Sequence, residues 1–165
     1  PPDPSLSCVV VAFHRPAPLA ALLRALGPDV DSVVVNVDCD PHVSRVVAAA
    51  GAVEVPVAGN PGYGPAVNAG VQRATGELVA FMNDDIVIAP PALRTLAAVV
   101  AGGRAAVAVP RIVDGGGERC HRPRSDDVMS RFFPAHPLAQ SLEIIRHAHT
   151  PFSVAGIFMP KSFAC

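Results

Sequence analysis

At 165 residues the chain is the size of a single domain, and with 50% of its residues hydrophobic it can bury a sizeable core. The formal net charge is -1 without a long run of either sign, which argues against wholesale nucleic-acid binding. Lys161 is the only lysine, so the basic residues are nearly all arginine.

The chain opens with alternating strand and helix signals. Cys8 to Phe13 is a continuous apolar run rich in β-branched residues, as expected of a strand buried on both faces. Leu19, Leu22, Leu23 and Leu26 then form one helical stripe, with Pro18 suited to its first turn and Gly27 to its end. A second strand is predicted over Val33 to Val37, and a second helical stripe runs through Val43, Val46, Val47 and Ala50 to Gly51. Val53 to Val57 predicts a third, weaker strand, and Pro56 favours an edge position for it. A third helix is expected over Pro65 to Thr75, ended by Gly76, and a fourth strand over Leu78 to Met82. Leu93, Leu96, Ala97 and Val100 mark a fourth helix ending at Gly102, and Ala105 to Val109 a fifth strand. The rhythm breaks at Asp114-Gly-Gly-Gly117. A loop to Pro137, a helix over Leu138 to His147 and a strand over Phe152 to Met159 are expected after it. Such alternation implies an α/β fold, with a mostly parallel sheet and helices on both faces. Ligands of these folds bind along the edge where the strands' C-terminal ends gather.

The polar residues fall at those ends. His14 and Arg15 follow the first strand, and Asn36-Val-Asp38-Cys-Asp40 closes the second. Gly59-Asn60-Pro-Gly62-Tyr-Gly64 follows the third, and Asn83-Asp84-Asp85 ends the fourth. Adjacent carboxylates at a buried strand's end are costly unless solvated, paired or metal-bound. Mg²⁺ takes one or two carboxylates and completes its shell with water and phosphate oxygens. The other reading is a solvated loop whose Asp residues cap the next helix. The Gly59 to Gly64 segment suits close approach of backbone to an anion at a helix N-terminus, or equally an ordinary strand-to-helix turn. Asp40 is well placed to cap the following helix, which leaves Asn36 or Asp38 for ligand contact.

The remaining signals are weaker. Cys8 and Cys39 fall in or beside apolar runs and read as buried thiols. Cys120 and Cys165 complete the set without a Cys-x-x-Cys pair, so a zinc or redox motif is not expected and a reducing cytosol is the simplest setting. No apolar stretch approaches the ~20 residues of a membrane span, and the Pro-rich N-terminus lacks a signal peptide's basic region. Peripheral attachment at the inner face of the membrane stays open. His147 and His149, like Cys120 and His121, offer only two donors each and read as exposed loop residues. Arg119, Arg122, Arg124 and Arg131 suit either phosphates or a solvated basic loop. No P-loop, Gly-x-Ser-x-Gly elbow or His-Glu-x-x-His occurs.

From about Ser7 to the C-terminus the sequence resembles family 2 glycosyltransferases, especially the bacterial rhamnosyltransferase-like group. The likeness rests on Cys8-Val-Val-Val-Ala-Phe-His-Arg-Pro16, Gly59-Asn-Pro-Gly-Tyr-Gly-Pro-Ala-Val-Asn-Ala-Gly70, Thr75-Gly-Glu-Leu-Val-Ala-Phe-Met-Asn-Asp-Asp85 and Ser153-Val-Ala-Gly156. The resemblance implies a GT-A (Rossmann-like) fold, with donor-binding βα units over residues 7–113 and the start of an acceptor-side region over 114–165. It also implies an inverting transfer, in cell-wall or surface glycan synthesis, from a nucleoside diphosphate sugar (dTDP-rhamnose or a UDP-sugar) to a hydroxyl of a glycan or lipid-linked acceptor. Ala12, Phe13 and His14 would line the base, with Asn36 or Asp38 beside them. Asn36 stands where the family often has Asp. Asn60, Gly64 and Asn68 would shape the diphosphate pocket. Asn83 and Asp84 would sit near ribose or diphosphate, and Asp85 would bind Mg²⁺ or Mn²⁺. The family's Gly-Phe-Asp-Glu and Glu-Asp-like segments do not occur, so the chain is expected to be truncated at its C-terminus, with the catalytic base beyond Cys165.

Two other readings compete. Gly62-x-Gly64 after a strand, with Asp84 about 20 residues on, suggests an NAD-dependent Rossmann oxidoreductase. Val67 stands in place of its third glycine, however, and the motif follows the third strand. The chain also reads as a non-catalytic nucleotide-binding fragment.

Overall fold

The computed structural model describes residues 4–88, 90–103, 107–108 and 157–160. Strands β1 (Leu6–Ala12), β2 (Asp31–Val37), β3 (Val53–Val57) and β4 (Leu78–Asn83) alternate with helices α1 (Pro16–Leu26), α2 (Pro41–Ala50) and α3 (Tyr63–Val71). Helix α4 (Pro90–Ala101) follows β4, and β5 is Ile157–Pro160. The sheet order is β3-β2-β1-β4-β5. The first four strands are mutually parallel, and β5 runs antiparallel to β4. The α/β, mostly parallel architecture expected from the alternation is therefore present, with β3 and its Pro56 on an edge.

Alternate residues of the central strands feed two cores. Cys8, Val10, Ala12, Val34, Ala80 and Met82 pack with the leucine stripe of α1 and with α2 and α4. Val9, Val33, Val35, Val37 and Val79 face α3 on the opposite side. Burial of both faces explains why β1 and β2 read as unbroken apolar runs. Prolines open α1 and α2, where a missing N–H costs nothing, and the Asp40 carboxylate caps α2 by accepting from His42 N at 2.7 Å. Helix α3 crosses the sheet closely at Gly70. A Cβ there would lie 2.3 Å from Val9 Cγ1 and 2.8 Å from Val35 Cγ2, so only glycine fits the crossing.

Several boundaries differ from expectation. β1 stops at Ala12, and Phe13 leaves the strand with 44% of its surface exposed. Helix α3 begins two residues before Pro65 and ends at Val71 instead of Thr75. The physical cause lies beyond that end. Ser7 Oγ accepts from Thr75 N (3.1 Å) and Gly76 N (2.8 Å), and Asp31 Oδ2 accepts from Thr75 Oγ1 (2.8 Å). These bonds pull the backbone out of the helix and into β4. Cys8 is buried, and burial pushes its thiol pKa up to about 12, but Cys39 is exposed because it sits in the turn after β2. Of the strand expected over 105–109 only residues 107–108 are described, and Ala108 is buried. Of that expected over 152–159, residues 157–160 form β5. The loop, helix, arginines and histidines expected over 114–150, with Cys120 and Cys165, lie outside the described residues. Among the described residues no helix is long and apolar enough to cross a membrane.

Candidate functional site

From β1 the chain moves through α1 to β2 and on to β3, and then returns through α3 to β4 on the other side of β1. The strand order therefore reverses between β1 and β4, and a crevice outside the C-terminal ends of these strands is where open α/β sheets take ligands. Two contacts span it. Phe13 N donates to Asp84 Oδ2 at 3.2 Å, and Arg15 Nη1 donates to Asp85 Oδ2 at 2.6 Å. Asp84 is buried, and burial pushes its carboxyl pKa up against the opposing effect of the Phe13 amide. Asn83 ends β4 half-buried, in register with Val11.

Asp85 is unusual in a way that bears on metal binding. Its second oxygen, Oδ1, is buried and has no hydrogen-bond partner among the described residues. A buried carboxylate oxygen without a donor is costly, and a cation satisfies it. Among the described residues no three His, Cys, Asp or Glu side chains converge as a metal site. Among the described residues the end of β4 thus offers at most a carboxylate pair, Asp84 and Asp85, which suits a Mg²⁺ or Mn²⁺ ion that takes one or two carboxylates and completes its shell with phosphate oxygens and water. To that extent the residues fit the ion expected from the sequence.

The end of β2 carries a second polar cluster. His14 lies between two carboxylates, with Nδ1 3.0 Å from Asp40 Oδ2 and Nε2 3.1 Å from Asp38 Oδ2. Only the doubly protonated ring donates from both nitrogens. The hydrogen bond to Asp40, followed by that to Asp38, raises the imidazole pKa above its ordinary value. Asp40 itself is lowered, first by the His42 amide. The Phe13 and His14 rings meet edge-on, with centroids 4.4 Å apart. His14, Asp38 and Cys39 all have positive φ (55°, 66° and 52°), a conformation that non-glycine residues adopt at a cost and that gathers at functional sites.

Asn36 takes a different place from the ligand-contacting one expected of it. It is fully buried. Its Nδ2 donates toward Asp40 O (2.9 Å), Ser44 Oγ (3.1 Å) and Glu54 Oε1 (2.8 Å), while Oδ1 accepts from Asp40 N (2.9 Å). The side chain is spent on folding the β2–α2 turn, which holds Asp38 outward. Ala12 is likewise fully buried, so its part is to position Phe13 and His14, which follow it.

At the third strand's end, Asn60 Oδ1 accepts from Gly62 N at 3.0 Å. It shapes the turn in which Gly59 and Gly62 have positive φ. Helix α3 then starts without a side-chain cap, with Gly64 and Asn68 exposed. The fold thus joins Phe13 to Asp84 and His14 to Asp38, and leaves Asn60, Gly64 and Asn68 on the neighbouring loop and helix. Sequence reasoning placed Arg15 after the first strand without giving it a role, and missed Glu54 and the second partner of Asp40. The position of Arg15 directly after a buried strand was the signal available.

Comparison with known proteins bears on this geometry. A family model described as Glycosyl transferase family 2 matches residues 7–160. A search of curated proteins by sequence finds no match. Among solved structures, the chain is similar to glucosyl-3-phosphoglycerate synthase from Mycobacterium tuberculosis in complex with UDP (TM-score 0.65, 18% identity, covering 96% of this chain and 57% of that one). It is similar also to mannosyl-3-phosphoglycerate synthase from Rubrobacter xylanophilus (0.66, 18%, 96% and 54%) and to S. aureus TarS 1-349 (0.60, 19%, 74% and 40%). The fold is therefore the GT-A type, and the chain spans 57% or less of the length of these three structures.

Proposed function

The chain belongs to glycosyl transferase family 2, and from that premise we propose that it carries the donor-binding part of an inverting, metal-dependent glycosyltransferase. The observation that carries the reading is Asp85, with one buried carboxylate oxygen unpartnered among the described residues, at the strand ends where the sheet order reverses. M. tuberculosis glucosyl-3-phosphoglycerate synthase has been crystallised with Mg²⁺ and UDP, and with Mn²⁺, UDP-glucose and phosphoglyceric acid, which supports a nucleoside diphosphate sugar as donor here.

In this reading exposed Phe13 offers a ring face to the base and His14 borders it. Ala12 fixes the strand end from which both project. Asp38, turned outward by the Asn36 network, accepts from the base or ribose. The Asn60–Gly64 turn brings the N-terminus of α3, which has no side-chain cap, toward the diphosphate, and Asn68 lies one turn further along. Asn83 and Asp84 close the pocket at β4, Asp84 holding the Phe13 amide. Asp85 contributes one oxygen to a Mg²⁺ or Mn²⁺ ion, which when bound neutralises the departing diphosphate. The base that deprotonates the acceptor hydroxyl is assigned to none of the described residues. We further propose a pyrimidine donor, dTDP-rhamnose or a UDP-sugar, and a glycan or lipid-linked acceptor met at the inner face of the membrane.

Calorimetric titration of UDP, dTDP and NAD with and without Mn²⁺ tests this, in wild type and Asp85→Ala. Expected is Mn²⁺-dependent binding of a pyrimidine diphosphate that Asp85→Ala loses. Equal metal dependence in both proteins would remove Asp85 from the metal site. Binding of NAD alone would overturn the glycosyltransferase reading in favour of an oxidoreductase.

A further inference from the structure

Arg15 has no part in the reaction as proposed, yet it makes the short ion pair with the carboxylate on which that reaction depends. It is the N-cap residue of α1, set by the end of β1, and its side chain is 52% exposed. Its Nη1 lies 2.6 Å from Asp85 Oδ2, while Asp85 Oδ1 is buried without a hydrogen-bond partner among the described residues. One carboxylate thus has one oxygen neutralised and the other unserved. A guanidinium only donates hydrogen bonds and stays charged at any working pH. It can balance the charge of Asp85, but a metal ion approaching the same carboxylate meets a fixed like charge. The chain has 13 lysines and arginines, and among the described ones Arg15 is the one set directly after a strand's C-terminal end. Among the described arginines, Arg24 lies in the last turn of α1, Arg45 within α2, Arg73 just beyond α3 and Arg94 within α4.

We infer that Arg15 is a stand-in cation: it pairs with Asp85 when no divalent ion is bound, and passes to a diphosphate oxygen of the donor when the ion takes the carboxylate. This rests on the reading of Asp85 as metal ligand. No covalent bond changes in the exchange. A guanidinium–carboxylate pair is replaced by a metal–carboxylate bond and a guanidinium–phosphate pair, so charge stays balanced at each stage. The half-exposed side chain has room to turn, and the planar fork of Arg suits phosphate oxygens. Arg15 is then a donor-positioning residue with two alternative partners, and it couples metal arrival to nucleotide capture.

The assignment demands effects of opposite sign from one substitution. Mn²⁺ binding to the 165-residue chain is measured by electron paramagnetic resonance without nucleotide, and UDP binding by calorimetry at saturating Mn²⁺, in wild type, Arg15→Gln and Arg15→Lys. In Arg15→Gln, Mn²⁺ alone binds several-fold tighter because its competitor is gone. UDP affinity at saturating Mn²⁺ falls about tenfold, as expected for loss of a charge-assisted hydrogen bond. Arg15→Lys, with the charge but not the fork, lies between the two. A merely structural Arg15 would weaken both affinities together, and that result, or unchanged Mn²⁺ affinity in Arg15→Gln, overturns the inference. Mn²⁺-dependent UDP binding in wild type, with both affinities unaltered in Arg15→Gln, sinks the Arg15 assignment alone. Absence of Mn²⁺-dependent UDP binding in wild type sinks the functional reading with it.

Discussion

Replacing Asn36 by Asp is the sharpest perturbation of the β2–α2 turn, because it exchanges one NH₂ for one oxygen at constant shape. Asn36 is fully buried and its Nδ2 faces three acceptors, the closest being the Glu54 carboxylate at 2.8 Å. The Asp variant keeps the bond from Asp40 N but sets a second carboxylate oxygen against Glu54 and the Asp40 carbonyl. Ser44 Oγ, which already donates to Glu54 Oε1 at 2.7 Å, cannot serve both carboxylates. Stranding a buried charge without its partner costs about 3–5 kcal/mol, a large part of the ~5–15 kcal/mol that holds a domain together. The introduced carboxyl is disfavoured as an anion, so its folded pKa lies above the unfolded value of about 3.9. The penalty is therefore full above the folded pKa and fades as pH falls toward the unfolded one. Urea unfolding of wild type and Asn36→Asp at pH 7 and pH 4.5 reads this directly. A deficit under about 1 kcal/mol at pH 7, well short of the buried-charge cost, or one that grows on acidification, would refute the reasoning. The same geometry explains why Asn stands where the family resemblance suggests Asp.

Gly70→Ala should lower the melting temperature. The new Cβ would press on Val9 and Val35, whose branched side chains are buried and restricted at χ1. Overpacking of about 1–3 kcal/mol then exceeds the helix-propensity gain of about 1 kcal/mol, and a melting temperature at or above wild type would count against the close crossing. His14, followed by its C2 proton in NMR, should titrate above its pKa in the denatured chain. Asp40→Asn should bring it down further than Asp38→Asn, since the Asp40 hydrogen bond is the larger cause. The bridge's contribution is full below the unfolded pKa of about 6.5 and is lost as pH rises through the folded value. A His14 pKa at or below the denatured value would remove the bridge from solution.

What could be read from the sequence was what local pattern encodes. The leucine stripe of α1, the glycine ends of α1 and α2, the cap at Asp40 and the edge position of Pro56 all follow from residues within one turn of one another. The convergence of four polar strand ends followed from parallel topology alone. What escaped depended on distant partners. Asn36 reads as a ligand contact until Glu54, 18 residues on, is placed beside it. Arg15 has no assignable role until Asp85, 70 residues away, comes within reach. The early end of α3 is imposed by Ser7 and Asp31 from other strands, and no propensity within Tyr63–Thr75 records it.

The position of β1 has a consequence for how the protein is made. It precedes the other described strands in the chain and lies in the interior of the sheet, with Ser7 paired to Asp31 on one side and Leu6 to Leu78 on the other. On the ribosome its β2 side is met early, whereas its β4 side waits until the chain beyond residue 78 has emerged. During that interval an apolar strand offers a row of unpaired amides and carbonyls, which is the template for mispairing with another nascent chain. Any elongation pause before β4 has emerged would prolong that interval and favour aggregation, even though the finished sheet is unaffected.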